Sequence, residues 1–407
     1  MEMTTADSVV ARIERFNSGR EPDGLALKYR AMCKSPFSFF RGTAHLFWED
    51  LGAEGRALPD SPPVWACGDL HLENFGTFQG SNGLSYFDLN DFDEAGLAPA
   101  IWEVSRFVTS LYVASPQLRL TRPVTDALVK LFLGAYQTAL GVGKAGSIER
   151  STATGTVRTL LERVTKRTRA SFVRSRTTQD KGKRRLEIDG KHTLPASVGQ
   201  QREVETWLAT FAKSRPNPKF FEVLDVARRM AGVGSLGLDR YVVLVRGDGG
   251  RDGNAVLDAK QARPSSLTRV DKLRQPAWKS EPDRVVSTQH RMQAVAPAML
   301  TAVPMGRGGY VLRELQSTKE RLSLKDLRGH PAHLRSAIET MAHLTAWAQL
   351  RSSGREGSAV IDDLIAFART GSWQERFVDY CRSYSEQVER DYNQFVAAQT
   401  GRNNRVR

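Results

Sequence analysis

Val9, Ile13 and Phe16 recur at helical spacing near the start of the chain, and Leu25, Leu27, Tyr29 and Met32 carry the pattern on to the run SPFSFFRG, so residues 6–50 read as helical. The apolar run VWACGDLH then begins as a short strand and breaks at Gly68, as a loop leaving a sheet does. NFGTF and LSYFDL, divided by the turn GSNG, read as a β-hairpin that brings Asn74 and the 88–91 segment to one end. Past Pro99, the residues Ile101, Val104, Val108 and Leu111 share one helical face, and TDALVKLFLGAYQTAL follows as a second helix. RRLEIDGKHTLP reads as a small hairpin turning at Asp189 and Gly190, and a charge-diluted helical stretch runs on to FFEVLDVARRM. YVVLV, AVLDAKQA and YVLREL are strands, with RVVSTQHRMQAVAPAML as a helix between the second and third. Two further helices close the chain, the last carrying Phe377, Cys381, Tyr384, Val388 and Phe395 on one stripe, which is core packing rather than a site.

Length changes this picture by allowing two lobes, since 407 residues exceed what a single core usually serves. Cys33, Cys67 and Cys381 are far apart with no C-x-x-C pair, so neither a disulfide framework nor a zinc site is expected. The start MEMTTADSVVARIERF has no charged segment followed by an apolar run, and no stretch approaches eighteen uninterrupted apolar residues. The expectation is a cytoplasmic protein with no membrane partner. The net charge of +14 is uneven: from Arg158 to Arg185 eleven Lys or Arg face only Glu162 and Asp180. Such a run either binds nucleic acid or another polyanion through phosphates, or is a solvated helix face or mobile insert.

Candidate chemistry gathers between Cys67 and Gly96. Asp69, His71, Glu73 and Asn74 fall within six residues, and Asp88, Asp91 and Asp93 follow a turn, which is the pattern of a site for metal and phosphate. Read blandly, a loop rich in Gly, Asp and Asn satisfies its own backbone amides. GDLHLEN resembles the catalytic loop G-D-x-H-x-x-N of aminoglycoside and choline kinases, and NDFDEAG resembles their metal-binding D-F-D-D-A-G segment. The resemblance implies Asp69 as the base that takes the hydroxyl proton, His71 as the residue that orients the loop, and Asn74 as a metal ligand. It also implies one main metal ligand that is either Asp91, which matches the residues that follow, or Asp88, which matches the hairpin spacing. Arg41, beside three Phe residues, either contacts phosphate or caps a helix locally. Glu103 and Arg106 are either an exposed pair or a brace for the catalytic loop.

A second informative stretch begins at Gly232. Gly232, Gly234 and Gly237 form G-x-G-x-x-G around Ser235, and the strand YVVLV follows where a dinucleotide-binding fold would place a helix. A glycine hairpin over phosphates, with Lys260 on the next strand, is the kinase arrangement. The helix that should pair this lysine has no Glu between Arg284 and Met299, which leaves Gln289, Gln293 or Glu281 to hold it, or leaves it loose until ATP binds. The glycines also come after the catalytic loop, an order that a circular permutation repairs. KYRAMCKSPFSFFRG, CGDLHLENFG, FDLNDFDEA and GVGSLGLDRYVVL together resemble domain-of-unknown-function family 2252, bacterial proteins with a kinase-like fold, in which Glu stands at the position of Ser287.

The resulting expectation is an α+β, two-lobed, protein-kinase-like (aminoglycoside phosphotransferase-like) fold, circularly permuted. Residues 1–150 would form a helical catalytic lobe, 151–219 a basic insert, 220–318 a nucleotide-binding β lobe, and 319–407 the helices completing the catalytic lobe. ATP and Mg2+ are the expected cofactors, a hydroxyl of a small molecule or peptide the expected acceptor, and phosphate the expected group transferred, with nucleotidyl transfer as the variant because a kinase-like cleft can bind ATP in more than one direction. The alternatives are a nucleotide-binding protein without catalysis, and a polyanion-binding module using residues 158–185.

Overall fold

The computed structural model describes residues 8–405 apart from 55–56, 251, 271–272, 306–307 and 317–320. The expected lobe boundary at residue 318, and the helical reading of residues 6 and 7, lie outside the described residues. Four short helices open the chain: α1 (Val9–Phe16), α2 (Pro22–Met32), α3 (Pro36–Gly42) and α4 (Ala44–Ala53). Ser8 and Ser35 cap α1 and α3 by accepting from the amides of Ala11 and Ser38, and Pro22 and Pro36 stand where no amide is needed.

Next come β1 (Pro63–Ala66), β2 (Phe75–Gln79), β3 (Ser85–Leu89) and β4 (Gly96–Pro99). β2 and β3 are the expected hairpin, with Phe75 opposite Leu89, while β1 pairs with β4 and so returns the chain to where it left. Two long helices follow, α5 (Ala100–Leu118) and α6 (Arg122–Val142).

The basic run occupies α7 (Gly155–Thr165), α8 (Arg169–Arg174), β5 (Thr177–Asp180) and β6 (Lys183–Leu186). It is docked by acids from elsewhere: Arg169 pairs with Glu314 and Asp248, Arg174 with Asp252, and Arg185 with Asp225. The hairpin here turns at Lys181 and Gly182 rather than at Asp189 and Gly190, because β5 pairs with β6. Asp189 instead accepts from the amides of Lys191, His192 and Thr193, closing a turn that leads into a different sheet.

That sheet begins at β7 (Thr193–Pro195), earlier than the expected boundary near 220, and is backed by α9 (Val198–Ala212). The helical reading up to FFEVLDVARRM is corrected at its end, where β8 (Val223–Arg229) is a strand paired on both edges. β9 (Arg240–Val245), β10 (Ala255–Gln261), α10 (Leu267–Val270), α11 (Glu281–Met292), β11 (Thr301–Met305) and β12 (Gly308–Glu314) complete this part. The strands lie in the order β11-β12-β10-β9-β8-β7, and every neighbouring pair is antiparallel. Alternation puts Val243, Leu257 and Leu312 against Val204, Trp207 and Leu208 of α9. Val242, Leu244 and Val256 face the other way, against Phe172, Val173 and Leu186.

α12 (Leu324–Leu327), α13 (Pro331–Arg351), α14 (Ile361–Ala368) and α15 (Gln374–Arg405) return to the helical part. There α13 packs on α6 and α15 on α5, and Phe377, Cys381, Tyr384, Val388 and Phe395 are buried in the largest core. The fold is therefore α+β, with a helical part built from both ends of the chain and an antiparallel sheet between them in sequence. Among the described residues no helix is long and apolar enough to cross a membrane.

Candidate functional site

β1 ends at Ala66, and Gly68 turns the chain with φ of 79° where a Cβ would lie 1.8 Å from the carbonyl oxygen of Glu94. Only glycine allows the loop before Asp69 to lie this close to the loop that holds Asp91 and Asp93. Glu103 on α5 accepts the Cys67 amide at 2.5 Å, and Trp48 donates to the Gly68 carbonyl at 2.9 Å. Arg106, one turn on from Glu103, is fully buried and reaches Asp69 Oδ1 through Nε at 2.7 Å and Nη2 at 2.6 Å. Its guanidinium rests 4.1 Å from the centroid of Phe40 and donates to the Phe40 carbonyl. Glu103 and Arg106 are thus both buried braces of this loop.

Withdrawal from water raises the Asp69 pKa above the usual carboxylate value, Arg106 works against that, and Asp91 and Glu94 add to it. Burial, with Arg41 and Arg106 nearby, pushes His71 well below its ordinary value, so its ring is neutral. Nδ1 of His71 accepts the Glu73 amide at 3.0 Å, and Nε2 stands 4.0 Å from Asp69 Oδ2. Arg41, in the last turn of α3, pairs with Glu73, whose other oxygen accepts the Leu324 amide. Asn74 ties the two loops: Nδ2 donates to the carbonyls of Asp69 and Asp91, and Oδ1 accepts the Asp91 amide at 2.8 Å. One lone pair of that oxygen remains for another partner.

Asp88 and Asp91 are separated by the structure. Asp88 is buried away from the cavity, accepting the amides of Leu89 and Ala294 with Arg351 at 4.0 Å, so its candidacy as a metal ligand is corrected. On β3 it is one residue out of phase with Phe87 and Leu89, which face the core, and so turns to the other face of the strand, where Ala294 and Arg351 meet it. Asp91 and Asp93 instead line the cavity, and Lys260 on β10 reaches both, with Nζ 3.4 Å from Asp91 Oδ1 and in contact with Asp93. Removal from water opposes the ionised Asp91, yet Lys260 and Arg313 hold it below the usual range; Asp93 is raised, first by the same withdrawal and then by Asp91.

The expectation of a loosely held Lys260 is therefore corrected. Gln289 donates to Gln293, Gln293 to the Leu89 carbonyl, and Glu281 pairs with Arg284, so none of the three serves the lysine. The acids of the 91–93 loop take that place. On α11 the buried residue aimed at this loop is Arg284, which donates to the carbonyls of Asp93 and Ala95 at 2.7 Å and of Arg263 at 2.8 Å. Nothing in the sequence pattern marked it, because the search along this helix was for a carboxylate, expected at Ser287.

Gly232 and Gly237 have φ of 80° and 83°, and the turn between β8 and β9 carries Gly234 and Ser235 into the cavity wall. Its carbonyls are already engaged. Arg20 donates to those of Gly234 and Leu236, and Lys28 donates to that of Gly234 at 3.2 Å. Gly24 lies against Gly237, where a Cβ would be 2.6 Å from backbone atoms. Lys28 is fully buried, and burial together with Arg20 lowers its pKa well below the ordinary value. Arg20 and Lys28 were missed; the available signal was Lys28 sharing a helical face with Gly24 and Met32.

Asp69, His71, Asn74, Asp91, Arg41, Gly232, Gly234 and Ser235 therefore line one cavity of about 300 Å3, and Lys260 borders it through Asp91 and Asp93. Among the described residues no group of three or more His, Cys, Asp or Glu side chains is placed to hold a metal alone. Asp91, Asp93 and the Asn74 oxygen are hard oxygen donors of the kind that suit a magnesium ion completed by phosphate oxygens.

No curated protein and no solved structure matches the chain. One family, described as an uncharacterized protein conserved in bacteria (DUF2252), matches residues 20–398, so the chain belongs to the DUF2252 family.

Proposed function

We propose that this protein is an ATP- and magnesium-dependent phosphotransferase of permuted kinase-like architecture, moving a phosphorus-bearing group to a hydroxyl of a small molecule or peptide. The observation that carries the reading is the meeting of Asp69, Asn74, Asp91, Lys260 and the glycine turn at one cavity, although they come from segments far apart in the chain. In this reading Asp69 accepts the proton of the attacking hydroxyl, and Arg106 fixes its carboxylate in place. His71, neutral and bonded to the Glu73 amide, holds the loop. Lys260 and the turn around Ser235 receive the phosphates, while Asp91, Asp93 and Asn74 would hold magnesium, which supplies charge neutralisation at the phosphate oxygens.

Thermal unfolding followed during ATP titration tests this. Stabilisation should grow with ATP concentration and be larger with magnesium. Asp91→Asn should remove the magnesium-dependent part, and an absence of any ATP effect would sink the proposal. A second reading, nucleotide binding without catalysis, draws on Lys260 being engaged by the acids expected to hold metal. It predicts the same ATP stabilisation in Asp69→Asn and no product from the wild type. The polyanion reading is weakened by the acids that already pair Arg169, Arg174 and Arg185.

A further inference from the structure

With its phosphates beneath the glycine turn, a nucleotide has two ways to lay its base. It can run inward along the cleft face of the sheet, past Lys260 toward Asp258 and Val256, or outward past the turn. The inward path is filled by the chain itself. Asp258, 1% exposed, is shared by Arg229 at 3.0 Å, Arg240 at 2.6 Å and Arg313 at 3.7 Å. Beyond it, Val242, Leu244 and Val256 are covered by Phe172, Val173 and Leu186.

The two ends of the cavity also differ in chemistry. At the inner end Arg321 lines the cavity and Arg229, Arg240 and Arg313 converge on Asp258, so four guanidiniums share Asp258, Asp91 and Asp93 as counter-charges. Like charges gathered out of water repel, and an added anion relieves that cost. At the outer end the apolar residues of the lining collect: Phe16, Ala44, Val233, Leu238 and Pro264. Cations stand here too, but Arg20 and Lys28 are committed to turn carbonyls with Glu94 near both, and the part-exposed Arg263 and the exposed Arg269 reach water, which screens them. Apolar walls take a base; crowded inner guanidiniums take a phosphate tail.

We infer that the nucleotide lies with its phosphate tail toward Arg321 and its base toward Phe16 and Pro264, so that the α-phosphorus faces Asp69 and the group transferred is a nucleotidyl group. The inference rests on the transferase reading above and specifies which phosphorus reacts. The acceptor oxygen bonds to the α-phosphorus as the bond from that phosphorus to the oxygen bridging the β-phosphorus breaks. Pyrophosphate leaves with the bridging oxygen, the hydroxyl proton passes to Asp69, and the acceptor becomes a nucleoside monophosphate ester.

Photolabelling of the wild-type protein with 8-azido-ATP and magnesium, followed by peptide mapping, locates the base. An ATP-protected adduct near residues 16–20 or 264–269 is expected. An adduct on residues 240–244 or 313–316 overturns the inference and leaves the transferase reading standing. If the protein takes up neither ATP, tripolyphosphate nor label, the transferase reading falls as well. In a parallel titration, Arg321→Ala should weaken ATP and tripolyphosphate by about ten- to a hundredfold, the loss of one charge-assisted contact. AMP binding should stay within about twofold of wild type. Equal losses for AMP and ATP would place Arg321 at the base and overturn the proposal. The photolabelling result decides even where that variant fails to fold.

Discussion

Replacing Asp69 by alanine should cost stability before it reports on chemistry. Arg106 is 0% exposed, and among the described residues its Nη1 lacks a partner and its hydrogen bonds go only to Asp69 and the Phe40 carbonyl. Removing one member of a buried pair costs about 3–5 kcal/mol, because the remaining charge is stranded. Asp69 is 21% exposed, so water reaches the vacated space and the lower figure of about 3 kcal/mol applies. With a urea slope of about 3 kcal/mol per molar, that moves the unfolding midpoint down by about 1 M. Asp69→Asn keeps an oxygen facing Arg106 and should lose only about 1–2 kcal/mol. Arg106→Met should be costly alone, yet the double variant Asp69→Ala with Arg106→Met should recover about 2 kcal/mol of the summed loss. Arg106→Met also has a definite pH signature. It removes the cation that opposes the rise of Asp69, so the folded carboxyl holds its proton to higher pH than the unfolded one. Stability of that variant therefore falls, relative to wild type, as pH rises from about 4 through the folded pKa. Urea titrations at pH 4.5 and 7 measure all of this. An Asp69→Ala midpoint within about 0.2 M of wild type would refute the reasoning.

Four other outcomes are expected. His45 is buried, stacked on Phe16 at 3.8 Å, and burial with Lys28 and Arg12 nearby keeps it from protonating, so stability is full above about pH 6.5 and lost as pH falls below it. His45→Phe should shrink the stability gap between pH 7 and pH 5 by up to about 2 kcal/mol in chemical denaturation. Ser287→Glu should leave stability within about 0.5 kcal/mol and ATP affinity unchanged by calorimetry, since Lys260 is already held by Asp91 and Asp93. Gly68→Ala should lose about 3 kcal/mol or more and yield little soluble protein, because both its φ and the Glu94 carbonyl forbid a Cβ. Arg284→Met leaves three carbonyls unanswered, and faster amide exchange in residues 91–96 than in wild type should reveal the loosened loop.

Local periodicity made much of this molecule readable. The hairpin around GSNG, the strands YVVLV and AVLDAKQA, and the apolar stripe of the last helix each obey a short-range rule, and each is where its residues indicated. The thirty residues around Asp69 and Asp91 were legible as a candidate site because acids, an amide and glycines fall together in sequence. Partners that meet only in three dimensions were not. Arg106 looks like any helix arginine until α5 is laid under the loop that carries Asp69, and Arg284 lies three residues before Ser287, where a carboxylate was sought. The choice between Asp88 and Asp91 turned on strand phase at the end of β3, which sequence spacing does not reveal. β7 was obscured because three residues are too few for alternation to register, and β8 because charged residues dilute its pattern.

The clasp on the glycine turn bears on how fast a ligand can come and go. Fixing the backbone of one residue costs about 1–2 kcal/mol in lost conformational freedom, and a free glycine-rich flap would meet that cost each time it closed over phosphate. Here Arg20, Lys28 and the backbone of Gly24 hold the turn through the protein's own contacts, so its ordering belongs to folding and not to binding. Association then has no closing step at this turn to wait for, and release has no opening step to slow it. Any slow gating of ligand exchange must come from another wall. Motion of the turn itself is tied to the undocking of α2, and a mutation that loosens that helix would reach the proposed phosphate site without touching it.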